Sequence, residues 1–306
     1  MKKLKIPTYL QIETIRGCNS KCIMCPLNYV GNELEAKSGR MTEENFKKLV
    51  DKFLRYVSNI KFVSLWGLGE PLLDKGLFEK IKYLKKHNFR SIAIATNADL
   101  LDENKQKKIL ESGIDTIICS VDGINKKTHE SIRINTNFKR VVKNIQSCIK
   151  KRNEGNYKTR FLIRMIRQEL NYKQWPKYVK YWEKYIDRKK RDDIIAFDVH
   201  TWGGTRIKEK KGINYNIPCW CINEKILIDF DGEVLRCDGD FSSKDREKIG
   251  NVFIEDPIKI FNNAYFNFYR EAHKKKFRGH LYYCKNCDIP DQRKKKVKST
   301  KENKNL

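Results

Sequence analysis

Arg16-Gly17-Cys18-Asn19-Ser20-Lys21-Cys22-Ile23-Met24-Cys25-Pro26 follows directly on Tyr9 to Ile15, a segment that reads as a β-strand. Three thiols fall at C-x3-C-x2-C spacing, so one short loop wraps three sulfurs around one centre. A closed zinc site normally takes four protein ligands, and a cubane iron-sulfur cluster is usually held by four cysteines. Three thiolates from one loop therefore leave one iron of a cubane free for something else. A zinc loop or a disulfide loop is the plainer reading of the same residues, and the downstream strands weigh against it.

Working outward, apolar strands alternate with helices. Strands are expected at Ile60 to Trp66, Ser91 to Ala95, Thr116 to Ser120, Arg160 to Met165 and Ile194 to Thr201. Helices are expected at Glu43 to Tyr56 with Thr42 as N-cap, Leu77 to His87, Glu103 to Ser112, Phe138 to Arg152 and Tyr172 to Tyr185. Six β-α units in a row predict an α/β fold with a parallel sheet and outer helices. After Gly203 and Gly204 the pattern changes. Ile226 to Phe230 and Glu233 to Arg236 flank Asp231-Gly232 as a hairpin, and one helix is expected over Pro257 to Lys276. The expected division is 1–205, then a small cysteine-bearing α+β domain over 206–292, then a basic disordered tail over 293–306.

The chain has 306 residues, 40% of them hydrophobic and 11% aromatic, enough for a sizeable core. No apolar run reaches the roughly 18 residues of a membrane span, and the start lacks a signal-peptide core. The expectation is a cytoplasmic protein, in which ten cysteines point to metal or cluster ligation rather than disulfides. The formal charge of +27 reads first as a solvated Lys-rich surface and second as an anionic partner.

The cysteine loop resembles the signature loop of the radical S-adenosylmethionine superfamily. That resemblance implies a partial (β/α)6 TIM-like barrel. It also implies that Cys18, Cys22 and Cys25 ligate a four-iron four-sulfur (4Fe-4S) cluster whose fourth iron is chelated by S-adenosyl-L-methionine. The family often places an aromatic residue where Met24 stands; an apolar side chain there still covers the adenine. Trp66-Gly67-Leu68-Gly69-Glu70-Pro71 resembles the family's Gly-Gly-Glu motif, with Leu68 replacing a Gly. It implies ammonium contacts from Glu70 and the backbone at Gly69. Thr96-Asn97 is similar to the family's Thr-Asn-Gly, with Ala98 as third residue. Ser120 and Asp122 are implied to reach the ribose or the methionine carboxylate, and Arg164 to pair with that carboxylate.

Strand alternation adds an independent expectation. Phe161, Ile163 and Met165 should face the helices, and Gln11, Glu13, Arg164, Asp198 and His200 the lumen. Asp198 and His200 are the candidate catalytic residues, His200 having a structural role as its alternative.

Cys219, Gly232 and Cys237 stand at C-x12-G-x4-C spacing, and Cys284 and Cys287 close a C-x2-C pair. This set resembles the SPASM extension in its shortened Twitch form. It implies a second, auxiliary 4Fe-4S cluster on Cys219, Cys237, Cys284 and Cys287. Cys221 is an alternative ligand, and structural zinc is the rival occupant. Cys119 and Cys148 read as plain buried thiols.

The implied activity is reductive cleavage of S-adenosyl-L-methionine to a 5′-deoxyadenosyl radical, with hydrogen abstraction from a small polar or sugar-like substrate and net oxidation. The auxiliary cluster would carry electrons, and an external one-electron reductant such as flavodoxin or ferredoxin is implied. A peptide- or protein-modifying maturase is the alternative, made less favoured by the roughly eight residues before strand one. A zinc-bearing RNA-binding protein, or an RNA-modifying enzyme, is the second alternative; nucleic acid is not the favoured partner.

Overall fold

Short apolar runs, most of them buried nearly throughout, build an eight-stranded main sheet, and helices pack against it. The computed structural model describes residues 4–29, 38–204, 212–242 and 249–294. In chain order the strands are β1 (Tyr9–Ile12), β2 (Ile15–Arg16), β3 (Lys21–Cys22), β4 (Gly39–Arg40), β5 (Phe62–Ser64), β6 (Ile92–Thr96), β7 (Thr116–Ser120), β8 (Arg133–Ile134), β9 (Arg160–Arg167), β10 (Asp193–Asp198), β11 (Lys225–Ile228) and β12 (Val234–Leu235). The main sheet runs β10-β9-β7-β6-β5-β1-β11-β12. Every pair in it is parallel except β11 with β12. Parallel neighbours need crossovers. The helices Glu43–Asp51, Leu77–Lys86, Glu103–Glu111, Phe138–Glu154 and Trp175–Trp182 lie in them. Thr42, Asp102 and Asn137 start three of these helices, each side chain accepting from a first-turn amide.

On β9 the alternation is as expected: Phe161, Ile163 and Met165 are buried, while Arg160, Leu162 and Arg164 are half-buried on the other face. The buried face joins Leu10, Ile12, Val63, Ile94 and Ile117 with the helix residues Phe46, Leu49, Ile81, Ile145 and Trp182 in one core. Each such side chain is worth about 1.5–3 kcal/mol on burial. Cys119 and Cys148 belong to that core, as expected of plain thiols. The result is an α/β partial barrel.

Some element ends shift: the helix expected over Glu43 to Tyr56 stops at Asp51, the strand Tyr9 to Ile15 breaks after Ile12, and the strand expected to Thr201 ends at Asp198. Beyond these, the structure departs from expectation in three places. The Asp231-Gly232 hairpin forms, with Gly232 at φ +87°, but it is no separate sheet. Its first strand, β11, lies parallel to β1 in the register Leu10↔Ile226 and Ile12↔Ile228, so the C-terminal third extends the barrel. Arg16 fastens this seam, pairing with Glu13 at 2.6 Å and Asp229 at 3.2 Å, all three buried. The single helix expected over Pro257 to Lys276 is two, Pro257–Phe261 and Ala264–Lys274, because the Asn263 side chain accepts from the Phe266 amide and starts a new helix. The third departure is the helix Lys126–Ile132 with β8 after it, which the sequence pattern did not announce. The boundary expected at 205 and residues 295–306 of the expected tail lie outside the described residues. No helix among the described residues is long and apolar enough to cross a membrane.

Candidate functional site

The three-thiol loop leaves β2 at Gly17, whose φ of +145° is one that side-chain-bearing residues rarely adopt. It then pairs β3 antiparallel with β8, setting Cys22 opposite Arg133. Cys18, Cys22 and Cys25 line one cavity of about 240 Å³ with Gly17, Ser20 and Leu27. Donors point at the sulfurs: the Ser20 amide reaches Cys18 Sγ at 3.4 Å, and Arg133 Nη1 reaches Cys22 Sγ at 3.5 Å. The Leu27 amide donates to Cys25. Cys18 opens on the cavity, yet enough protein surrounds it that burial, with Glu70 nearby, pushes its thiol up to about 12. Burial and the neighbouring Cys22 push Cys25 up to about 12 as well.

The motif residues gather beside this loop. Gly69 forms a bridge with Gly17, and a Cβ on Gly69 would stand 2.2 Å from the Ile15 carbonyl oxygen. The approach of the two backbones therefore requires glycine. Glu70 is buried and its carboxylate is already taken: it accepts from Thr96 Oγ1 at 2.6 Å, the Asn97 amide at 2.8 Å and the Leu72 amide at 3.1 Å. Its side chain ties the β5 loop to the β6 loop, and burial raises its pKa. Asn97 Nδ2 donates to Asn19 Oδ1 at 2.9 Å and lies 3.9 Å from Cys18 Sγ. Ser120 Oγ accepts from Arg164 at 2.7 Å. Burial, then the charge of Arg133, lowers the Arg164 pKa to about 10. Asp122 is fully buried, accepts from the Ile166 amide at 2.7 Å and pairs with Arg133 at 2.8 Å. Met24 packs with Cys22 and Ile132, and its carbonyl accepts from the Trp202 indole at 3.0 Å.

Arg133 and Trp202 are site residues that the sequence reading missed. Arg133 is buried and stands between the Cys22 sulfur and the Asp122 carboxylate, and these two hold its charge in place against burial. Its signal was faint: one basic residue among 65, after a seven-residue helix.

Asp198 and His200 divide. Asp198 is bound to Arg167 at 2.7 Å, with its side chain 45% exposed on the edge strand of the sheet. His200 Nδ1 accepts from the Trp202 amide at 3.2 Å, and its ring stands 4.2 Å from that of Trp202. Burial opposes the Asp238 charge, but Lys225 and then His200 are close enough to hold that carboxyl below its usual range. Around Asp238 runs a polar set on the lumen side. Lys225 pairs with Asp238 and donates to Gln11 at 3.2 Å, and Tyr9 shares a hydrogen bond with Ser64 at 2.9 Å. The Lys225 ammonium lies over the Tyr9 and Trp220 rings at 5.3 and 5.0 Å.

The second thiol group comes from three separate segments. Cys219, Cys284 and Cys287 are buried, Cys237 is half-buried, and the four lie within electrostatic reach of one another. Cys221 instead faces Asp238 at 3.9 Å. A hydrogen bond from Cys221 holds the Cys219 thiol below its usual range, whereas burial and that same bond push Cys221 up.

Among the described residues no group of three or more His, Cys, Asp or Glu stands ready to hold a metal ion. The donor chemistry nevertheless fits iron-sulfur groups. The first set offers three thiols on one cavity with N–H donors aimed at sulfur, and the second offers four thiols within electrostatic reach of one another. Amides also donate to Cys219 and Cys287, and such bonds stabilise cluster thiolates. Loading would expel the protons these thiols now carry.

Comparison with known proteins agrees with this geometry. The pattern of the radical SAM superfamily matches residues 12–167, just over half of the chain, and that of the SPASM iron-sulfur cluster-binding domain matches 219–288. The chain belongs to the radical SAM superfamily. Its C-terminal part carries a SPASM domain over residues 219–288, so the cofactors are a 4Fe-4S cluster with S-adenosyl-L-methionine and an auxiliary iron-sulfur centre. Among curated relatives, it is 26% identical over 174 residues to the tungsten-containing aldehyde ferredoxin oxidoreductase cofactor-modifying protein of Pyrococcus furiosus, covering 56% of this chain and 47% of that one. It is 29% identical over 132 residues to a probable GTP 3′,8-cyclase of Methanococcus maripaludis, covering 43% and 42%. The chain thus spans less than half the length of these relatives. Among solved structures, BtrN in complex with AdoMet and 2-DOIA matches at a TM-score of 0.63 and 20% identity over 94% of both chains. Streptococcus suis SuiB bound to the precursor peptide SuiA matches at 0.68 and 16% identity, over 94% of this chain and 71% of that one. These likenesses are of fold.

Proposed function

We propose that this radical SAM enzyme holds its 4Fe-4S cluster through Cys18, Cys22 and Cys25 and removes a hydrogen atom from a small polar or sugar-like molecule in a net oxidation. When bound, the reduced cluster and S-adenosyl-L-methionine together supply a 5′-deoxyadenosyl radical. The chain's residues bind and orient. The guanidiniums of Arg133 and Arg164, with Ser120, offer charge-assisted hydrogen bonds to a carboxylate. The backbone at Gly69 and the amide of Asn97 border the thiol loop, and Met24 gives an apolar cover. Glu70 and Asp122 position these groups, since their carboxylates are taken by the chain. Tyr9, Gln11, Lys225, Asp238 and His200 present hydrogen-bonding groups to a polar substrate, and His200 is the nearer candidate for moving a proton. Asp198, half-exposed beside Arg167, is left with a smaller part. Cys219, Cys237, Cys284 and Cys287 give the auxiliary centre a full set of ligands, which suits an electron carrier rather than a substrate site. A flavodoxin- or ferredoxin-type protein is the proposed external partner.

The observation that carries this reading is the three-thiol cavity with no fourth cysteine in its loop. Anaerobic reconstitution should give about eight irons per chain, and dithionite with S-adenosyl-L-methionine should yield 5′-deoxyadenosine. Deuterium passing to that nucleoside from a labelled cyclitol or sugar, and not from peptides, is the expected outcome. Transfer only from peptides would replace this reading with the peptide-modifying one, which the likeness to SuiB favours. No iron-dependent cleavage at all would end both.

A further inference from the structure

The helix Ala264–Lys274 ends beside the second thiol group, and the chain leaving it alternates between burial and exposure. His273, Arg278, Leu281, Cys284 and Cys287 are buried; Lys274, Lys275, Lys276, Phe277, Tyr282 and Lys285 are exposed. Phe277 is 52% and Tyr282 70% exposed, an unusual amount of aromatic surface to leave in water. Lys285 Nζ stands 5.4 Å over the Tyr282 ring, and Phe277 stacks on His280 with ring centres 4.1 Å apart. Glu271 is the one acidic side chain from 271 to 287. Only Lys285 and Asn286 separate Cys284 from Cys287, so two of the four thiols lie one layer beneath this face.

We propose that this lysine- and aromatic-rich face is the docking surface for an acidic one-electron carrier protein. The proposal rests on the reading above that the four thiols hold a redox centre. Electron transfer weakens steeply with distance, so a carrier must dock where the centre comes near the surface. The outward charges are lysines, compact point charges on flexible stems that steer a partner without fixing its register. That suits a transient contact of the small kind electron-transfer pairs make, under about 1,200 Å². The only arginine of the stretch, Arg278, is turned inward, donating to the Cys287 carbonyl at 3.0 Å and the Asn214 carbonyl at 2.9 Å. The forked phosphate contacts expected of a nucleic-acid surface are thus not on offer here. Each encounter moves one electron: the carrier is oxidised by one as the thiolate-held centre is reduced by one, or the reverse, and no atom is transferred.

The test uses the reconstituted full chain with Cys18, Cys22 and Cys25 changed to Ala, so that only the auxiliary centre reports. Its reduction by a reduced, net-negative [2Fe-2S] ferredoxin is followed by stopped flow. In the starting protein the rate should fall steeply as salt rises. Changing Lys274, Lys275, Lys276 and Lys285 to Glu should slow it at least about tenfold and flatten the salt dependence. Dithionite reduction should be unaffected. Lys143, Lys150, Lys151 and Lys158 changed to Glu make the same change in net charge elsewhere and should slow it far less. Equal slowing by both sets, or an unchanged rate in the first, overturns the docking surface. So does salt-sensitive RNA binding lost in the first set while ferredoxin reduction is untouched. Absence of about four irons at the auxiliary site would instead refute the underlying reading.

Discussion

The two thiol groups are built in opposite ways. The first takes its sulfurs from eight consecutive residues, Cys18 to Cys25, and leaves them on an open cavity wall. The second draws on Cys219, Cys237 and the Cys284–Cys287 pair, and three of its four thiols are 7–9% exposed. A contiguous loop needs little folding to present its ligands, whereas a set spread over this much chain exists only once the fold has closed those loops. The local group is thus free to stay open and three-fold for chemistry. Under the proposed reading, the distributed group is locked, saturated and inward, which suits an electron carrier.

The largest effect that tests this contrast is on activity. Cys22→Ala should abolish 5′-deoxyadenosine formation and cost about four of about eight irons, the auxiliary centre remaining by Mössbauer spectroscopy. Loss of all iron would mean the two groups are not independent. At the second group, Cys219→Ser should remove about four irons, while Cys221→Ser should keep them. The reverse result would move the ligand to Cys221. A smaller effect concerns the seam between the cysteine loop and the sheet. Arg133→Met leaves the fully buried Asp122 without its cation and should destabilise the fold by about 3 kcal/mol in urea unfolding. A loss under about 0.5 kcal/mol would show that the pair contributes little.

The smallest effect is a pH dependence. Each region holds a buried neutral histidine that accepts an amide: His129 from Asp122 at 3.2 Å, and His273 from Cys219 at 3.0 Å. Burial, then Arg133, lowers the His129 pKa to about 3. Its folded value lies below its unfolded one, so the unfolded chain binds the proton first. Stability then falls as pH drops from 6.5 towards 3, by at most about 1.4 kcal/mol per pH unit. His129→Gln should flatten that decline, read as urea midpoints across the range. An unaltered slope would place the acid sensitivity elsewhere.

Much of the architecture was legible because its signals are local. The β-α alternation, the caps at Thr42 and Asp102, and the Asp231-Gly232 turn all act within a few residues. The pairing of β11 with β1 was not legible, since it joins residues more than two hundred positions apart and no short pattern encodes a parallel partner. At the site, spacing marked the thiols and the Gly69 and Asn97 loops. Glu70 and Asp122 were found but their partners within the chain were not, because which amides and cations meet a buried carboxylate depends on what the fold brings to it. Arg133 stayed hidden among many lysines and arginines, on a two-residue strand that follows a helix too short to show a period.

Trp202 donates to the Met24 carbonyl, packs with Cys25 and Leu27 against the buried cluster of Leu68, Leu227, Leu235 and Phe241, and follows Thr201, whose amide is held by Asp288 at 3.0 Å. Iron-sulfur groups absorb broadly where indole emits, so this ring should darken as metal arrives in the loop beside it. With the other four tryptophans replaced by phenylalanine, its fluorescence becomes a real-time gauge of loading that needs no added dye.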